Sequence, residues 1–241
     1  MSEQVEISVI TTVYNCENFI EESIKSILSQ TYSEFEFIIV NDGSTDKTAD
    51  IIRSFEDSRI IFIDNAKNVG VPVRSNSAID IARGEYISIQ DADDISLPFR
   101  LEKEIEILKS DKNLFCVNGY AIIIDERGKV ISQWDHPSHD NNSMKVMIAE
   151  GKNPVINPSA MFKKYDFNKI GKYTTDKSIQ LVHDLEFWGR CLFSGYKFFT
   201  LDTPIIKYRI NNNGLTFGRS LEMKKNQQVL LSRWREKGLI L

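Results

Sequence analysis

The first hundred residues alternate short, β-rich apolar runs with helix-patterned segments, and this order restricts the fold more than any other feature of the chain. A strand, a crossover helix and a second parallel strand pack together in the right-handed sense, so the alternation predicts βαβ units and a mostly parallel sheet. The apolar runs are Ile7 to Val13, Phe35 to Val40, Arg59 to Ile63 and Tyr86 to Gln90. Between the first two, Ile20, Ile24, Ile27 and Leu28 form one helical stripe, with Asn15 available near the N-cap and an end near Gln30. Asp46 to Phe55 reads as a second helix, entered through Asn41-Asp42-Gly43-Ser44-Thr45, whose glycine and hydroxyls suit a sharp turn. Pro72 opens a third helix that Gly84 closes, and Pro98 opens a fourth that turns Leu101, Ile105 and Leu108 inward.

From about Phe115 the pattern becomes mixed. Cys116 to Ile124 and Val130 to Trp134, joined through Asp125-Glu126-Arg127-Gly128, predict an antiparallel hairpin in place of another βαβ unit. Leu181, Leu185, Trp188 and Leu192 predict an amphipathic helix with Asp184 beside its apolar stripe, near the first turn. The expected organisation is a first half over residues 1–110, a second half over 111–218 built on its edge, and a helical tail over 219–241.

A chain of 241 residues with 41% hydrophobic content can bury a substantial core. Its formal charge of −4 supplies no general attraction to nucleic acid, so an anionic ligand must be gripped locally. Cys16, Cys116 and Cys191 are odd in number and far apart, which argues against a disulfide framework or a zinc site and fits a reducing cytoplasm. No segment approaches the roughly 18 apolar residues of a membrane span, and the start lacks the pattern of a signal peptide.

Open parallel sheets bind ligands beyond the carboxyl ends of their strands. Strand one ends in Thr11-Thr12-Val13-Tyr14-Asn15, strand two in Asn41-Asp42-Gly43-Ser44, and strand four in Asp91-Ala92-Asp93-Asp94. One rim therefore carries an aromatic ring, a carboxylate and an acidic cluster. A ring such as Tyr14 can stack on a base, and the Asp42 carboxylate can accept from a base N–H. Asp91 and Asp93 point the same way from extended backbone, and their hard oxygens suit Mg²⁺ or Mn²⁺. Each piece has a plainer reading: Asn-Asp-Gly-Ser as a simple turn, Tyr14 as packing, and a first-turn Asp184 as a complement to the helix dipole.

Together these segments resemble the inverting family 2 glycosyltransferases of the GT-A fold. The resemblance is carried by Val13-Tyr14-Asn15, Asn41-Asp42-Gly43-Ser44-Thr45-Asp46, Gly84-Glu85-Tyr86-Ile87 and Asp91-Ala92-Asp93-Asp94. It continues more weakly through Asn153-Pro154-Val155-Ile156-Asn157-Pro158-Ser159, His183-Asp184-Leu185-Glu186-Phe187-Trp188 and Tyr208-Arg209-Ile210-Asn211. It implies an α/β fold in which a nucleotide-sugar-binding half is continued by a mixed acceptor-side half. Thr12, Tyr14 and Asp42 would hold the nucleobase, Asp91 would lie near the ribose, and Arg74 would contact the diphosphate. Asp93 would ligate Mn²⁺ or Mg²⁺, and Asp184 would be the catalytic base. The partners implied are a nucleotide-diphosphate sugar, with uridine the family habit, and a saccharide or lipid-linked saccharide acceptor.

The chain departs from the family pattern at Asn41, Ser75, His183 and Asn211, where the family has Asp, Arg, Glu and His; the resemblance implies that the last change touches a metal ligand. These departures keep open a nucleotide-sugar-binding protein without catalysis. An apolar strand followed by Asp-x-Asp also opens phosphatases of the haloacid dehalogenase type, but there the motif lies on an early strand and here it follows the fourth. His136, His139 and His183 lack metal-ligand spacing and read as surface or groove residues. The basic stretch from Arg219 to Leu241 is either a terminal helix packed on the domain or a peripheral membrane contact on the cytoplasmic face.

Overall fold

The computed structural model describes residues 5–134, 140–211 and 219–240, so His136 and His139 lie outside the described residues. Its first half runs β1 (Ile7–Val13), α1 (Ile20–Leu28), β2 (Phe35–Asp42), α2 (Thr48–Arg53), β3 (Ile60–Asn65), α3 (Val71–Ile81) and β4 (Tyr86–Ile89). The strands pair in parallel in the order β3-β2-β1-β4, with Ile7 opposite both Phe35 and Tyr86. Their carboxyl ends therefore share one rim.

β5 (Ile95–Ser96) and α4 (Arg100–Ser110) complete the first half, and β6 (Leu114–Ile124), β7 (Val130–Trp134), α5 (Asn141–Ala149), β8 (Met161–Lys163), α6 (Lys164–Ile170), α7 (His183–Phe193), β9 (Lys197–Arg209) and α8 (Ser220–Glu236) follow. Short β8 lies antiparallel between β4 and β6, so the same sheet continues as β4-β8-β6-β9-β5, with β7 hairpinned onto β6. Long β9 runs parallel to β6, and its far end is antiparallel to β5. This brings Arg209 beside the acidic turn after β4.

Helices cover both faces of the sheet. Along β2, Phe35, Phe37 and Ile39 face one core with Ile20, Ile24 and Ile27 of α1 and Leu101, Ile105 and Leu108 of α4. The alternating Ile38 and Val40 face the other, with Ala78 and Ile79 of α3, Leu185, Trp188 and Leu192 of α7, and Leu230 and Trp234 of α8. The period of two in the strand and the i, i+4, i+7 stripe of α1 meet because both are apolar on the same side. Ile20, Ile24 and Ile27 are fully buried, and each such burial contributes about 1.5–3 kcal/mol.

Four local expectations need correction. Asn15 does not cap α1, whose N-cap residue is Phe19; Asn15 is instead the one described non-glycine residue with positive φ, at 49°. The second helix is shorter than expected at both ends, spanning Thr48–Arg53, and Asp46 lies before it with its carboxylate accepting from Thr48 N–H at 3.0 Å. Gly84 does not close α3, which ends at Ile81 with Ala82 as its C-cap; a Cβ at Gly84 would stand 2.5 Å from the Ser8 backbone nitrogen, so it permits close approach to β1. Leu181 precedes α7 in a 3₁₀ turn over Gln180–Val182.

Candidate active site

At the rim, the loops after β1 and β2 are lashed together through Asn15. Its Oδ1 accepts from Thr45 N–H at 2.8 Å and its own N–H donates to Ser44 Oγ at 2.9 Å. A left-handed backbone is tolerable for Asn, and these two bonds hold it there. Thr12 pairs in register with Val40 and is half-buried, while the Tyr14 ring beyond it is 49% exposed and available for stacking.

Asp42, 3% exposed, is enclosed by donors. Its Oδ1 accepts from Val69 N–H at 3.0 Å and Arg74 Nε at 2.7 Å, and its Oδ2 accepts from Gly70 N–H at 2.8 Å. A carboxylate has about four acceptor directions, so roughly one is left for a ligand N–H. Arg74 also donates to Asn65 Oδ1 at 2.9 Å and Lys67 O at 2.7 Å. The structure thus places Arg74 with Asp42 at the end of β2. Asp42 and the acidic turn are separated by β1, two strand spacings or about 10 Å.

The turn after β4 gathers negative charge. Burial pushes the Asp91 carboxyl up to about 7, helped by the neighbouring charges of Asp93 and then Asp184. Burial also raises Asp93, which Asn211 Nδ2 contacts at 3.5 Å. Asp94 is raised well above the usual range by burial and then by Asp93 and Asp91. Its Oδ1 accepts from Arg209 N–H at 2.7 Å, and its buried Oδ2 has no hydrogen-bond partner.

Arg209 ties this turn to its surroundings. It donates from Nε to Asp93 O at 2.8 Å, from Nη1 to Asp125 O and Glu126 O at 3.2 Å, and from Nη2 to Glu22 Oε2 at 2.5 Å.

Asp184 lies in the first turn of α7, and its charge is among the influences that raise Asp91. Asn153 Nδ2 donates to Asp184 Oδ2 at 2.8 Å, which fixes the carboxylate and leaves Oδ1 for another proton. Glu186 is instead gripped by Arg190, whose Nε and Nη2 each donate to it at 2.9 Å. His183 Nδ1 is 3.0 Å from Gln180 O, and its ring meets Tyr173 edge-on.

Two links stitch this side to the first half: Gln180 Nε2 donates to Val69 O at 3.3 Å, and Asn76 makes two bonds with the Tyr173 backbone. From behind, α8 accepts Leu181 N–H at Asn226 Oδ1 at 3.1 Å, and its Gln227 bonds Gly151 O.

Sequence reasoning assigned no role to Asn153 or Arg209, although both lie inside segments that carry the resemblance. Their partners are 31 and 116 residues away in sequence, and spacing alone gives no signal for such pairs.

Among the described residues no three His, Cys, Asp or Glu side chains converge to enclose a metal ion. The acidic turn nevertheless fits a divalent cation shared with a ligand. Asp94 is buried and Asp91 and Asp93 are half-buried, the charge of Asp93 raises the other two, one oxygen is unpartnered, and hard oxygen donors suit Mg²⁺ or Mn²⁺, which take further ligands from phosphate and water.

The family described as "Glycosyl transferase family 2" matches residues 8–171. An uncharacterised glycosyltransferase of Methanocaldococcus jannaschii is 35% identical over 236 residues, 96% of this chain and 80% of that protein. The UDP-Glc:alpha-D-GlcNAc-diphosphoundecaprenol beta-1,3-glucosyltransferase WfaP of Escherichia coli is 30% identical over 94% of this chain and 86% of its own length. Among solved structures, S. aureus TarS residues 1–349 in complex with UDP-GlcNAc superposes with a TM-score of 0.71 at 19% identity, covering 87% of this chain and 60% of that one. The mannosyltransferase PcManGT of Pyrobaculum calidifontis, in complex with GDP-Man and Mn2+, gives 0.68 at 20% identity, covering 92% and 62%. The chain thus spans about 60% of the length of these solved chains and shares their fold.

Proposed function

This chain belongs to glycosyl transferase family 2 and has the GT-A fold, and we propose that it moves one sugar from a uridine diphosphate donor to a saccharide hydroxyl by a metal-assisted single displacement. The reading is supported by Asp184, which Asn153 holds in place and whose charge acts on Asp91 in the acidic turn that also bears Asp93. A general base would then face a diphosphate-metal site.

Tyr14 stacks on the base, Thr12 and the remaining acceptor direction of Asp42 read its edge, and Arg74 holds Asp42 in place. Asp91 faces the ribose. Asp93 would hold Mn²⁺ or Mg²⁺, which would supply Lewis-acid neutralisation of the diphosphate oxygens. Asp184 Oδ1 takes the acceptor hydroxyl proton as the oxygen forms its bond to the anomeric carbon and the bond to the nucleoside diphosphate breaks. Inversion follows from a single displacement.

The donor and acceptor classes rest on the WfaP likeness, whose name specifies UDP-Glc and a diphosphoundecaprenol-linked sugar. A lipid-linked acceptor calls for approach to a membrane surface. Among the described residues no helix is long and apolar enough to cross one. The outward face of α8 suits peripheral contact: Leu221 is 77% exposed beside exposed Lys224 and Lys225, while Leu230 and Trp234 anchor the other face.

A thermal-shift panel of UDP, GDP and TDP, each with and without Mn²⁺ after chelation, tests the donor site. The reading predicts the largest shift for UDP with metal. Equal shifts with and without metal, or no response to any nucleotide, would overturn it.

A further inference from the structure

Gln90, 1% exposed, is the last residue before the acidic turn and is not assigned to substrate. Its Nε2 donates to Asp94 O at 2.9 Å, Asp91 O at 3.1 Å and Ser23 Oγ at 3.0 Å. Its Oε1 accepts from Ser96 Oγ at 2.7 Å and Arg100 Nη1 at 3.0 Å. One carboxamide thus grips the backbone at both ends of the turn from beneath and fastens it to α1, β5 and α4.

Arg100 is fully buried and uses all five N–H groups without solvent. Nη1 also donates to Ser96 Oγ at 3.0 Å, Nη2 donates to Ser88 Oγ at 2.9 Å and Ile89 O at 2.8 Å, and Nε donates to Glu104 Oε2 at 3.1 Å. Glu104 is equally buried, and its Oε1 has no partner. Taking an Arg–Glu pair out of water costs about as much as the attraction returns, so stability alone does not explain it.

What the pair does achieve is orientation. With a cationic donor fixed at Oε1, the Gln90 amide cannot turn over, and its N–H groups must face the carbonyls of Asp91 and Asp94. Those carbonyls flank the backbone that carries the Asp91 and Asp93 side chains.

We propose that Glu104, Arg100 and Gln90 form a buried positioning chain that shapes the Asp91–Asp94 turn for a divalent cation shared with the donor diphosphate, with Gln90 as the residue that acts on the turn. The inference rests on the metal reading of Asp93 given above. Partners behind a metal's direct ligands typically alter metal affinity about 10–100-fold when removed.

Calorimetric titration of UDP into the full chain, with Mn²⁺ and with chelator, gives a ratio of two affinities that isolates the metal. Gln90→Met keeps the length and removes both hydrogen-bonding ends. Gln90→Glu keeps an oxygen for Arg100 but presents an acceptor to two carbonyls. Arg100→Lys keeps the charge beside Glu104 without the planar fork.

In all three variants the ratio should fall about tenfold or more toward one, while the chelator affinity stays within about threefold of wild type. A role confined to stability would lower the melting temperature and leave the ratio unchanged. That result in any variant that folds overturns the proposal, as does a parallel fall of both affinities. Arg100→Lys decides the matter if the Gln90 variants do not fold. A wild-type ratio of one sinks the metal reading and this inference together, whereas a normal wild-type ratio that survives all three substitutions sinks the inference alone.

Discussion

Asp184→Asn should separate binding from chemistry. The wild-type carboxylate accepts from Asn153 Nδ2 at 2.8 Å through one oxygen. An amide oxygen can accept the same bond, so the side chain should stay where it is. What disappears is the capacity to take a proton. Loss of a general base costs about 10²–10⁴-fold in rate, roughly 3–5 kcal/mol of barrier. A second effect is electrostatic. The Asp184 charge is one of the influences that raise Asp91, so its removal should move the Asp91 carboxyl down toward the ordinary range. Glu186→Gln is the internal control: Glu186 is occupied by Arg190 and sits two residues on, about 200° around the helix. The assay is nucleoside diphosphate release at saturating donor and acceptor, with UDP and Mn²⁺ affinities measured on the same samples. Wild-type turnover in Asp184→Asn together with loss in Glu186→Gln would refute the assignment of the base and of the helix face that meets the acceptor.

Tyr14→Ala and Asp42→Ala should each weaken UDP binding by about 1–3 kcal/mol by calorimetry. Only Asp42→Ala should also lower the melting temperature, because it strands Arg74 and the Val69 and Gly70 N–H groups; unchanged affinity in both would misplace the base. In chelator, stability should fall as pH rises from about 5 to 8. Burial lifts Asp91 to about 7 and Glu104 to about 8, so the folded state holds protons that the unfolded chain has released. That contribution is full below the unfolded values and lost through the folded ones, and a melting temperature that climbs across this window contradicts it. Gly189→Ala should cost about 1–3 kcal/mol in urea unfolding, since the added Cβ would stand 2.5 Å from the Trp234 ring and push α8 outward; a change within error would mean that α8 is loosely seated. Lys224→Glu with Lys225→Glu should abolish sedimentation with vesicles rich in anionic phospholipid and spare UDP affinity; wild-type protein that does not sediment rules out the α8 contact.

The elements that were legible in sequence are those whose pattern and partner are local. β1 spans Ile7–Val13 as expected, the Ile20, Ile24 and Ile27 stripe is buried, and the hairpin through Asp125 to Gly128 pairs β6 with β7. Asn15 and Gly84 show where local rules mislead: each has the chemistry of a cap, but the first is used to tie two loops together and the second to admit a neighbouring strand. The long β9 was not legible, because its parallel pairing with β6 and its return against β5 depend on contacts set by the whole sheet. The acidic turn could be read because strand ends in a parallel sheet converge by topology. Arg209, Asn153 and the Gln90–Arg100 chain could not, because their hydrogen bonds require the folded geometry.

Single displacement with Asp184 as base is tested most directly by the anomeric configuration of the product. An α-linked UDP-sugar and a diphospholipid-linked saccharide acceptor would be incubated with Mn²⁺, and the new glycosidic bond read by NMR coupling. The account predicts a β linkage, formed only when metal is present and lost in Asp184→Asn. An α linkage would contradict it, because retention requires either a second displacement or attack from the same face as the departing diphosphate.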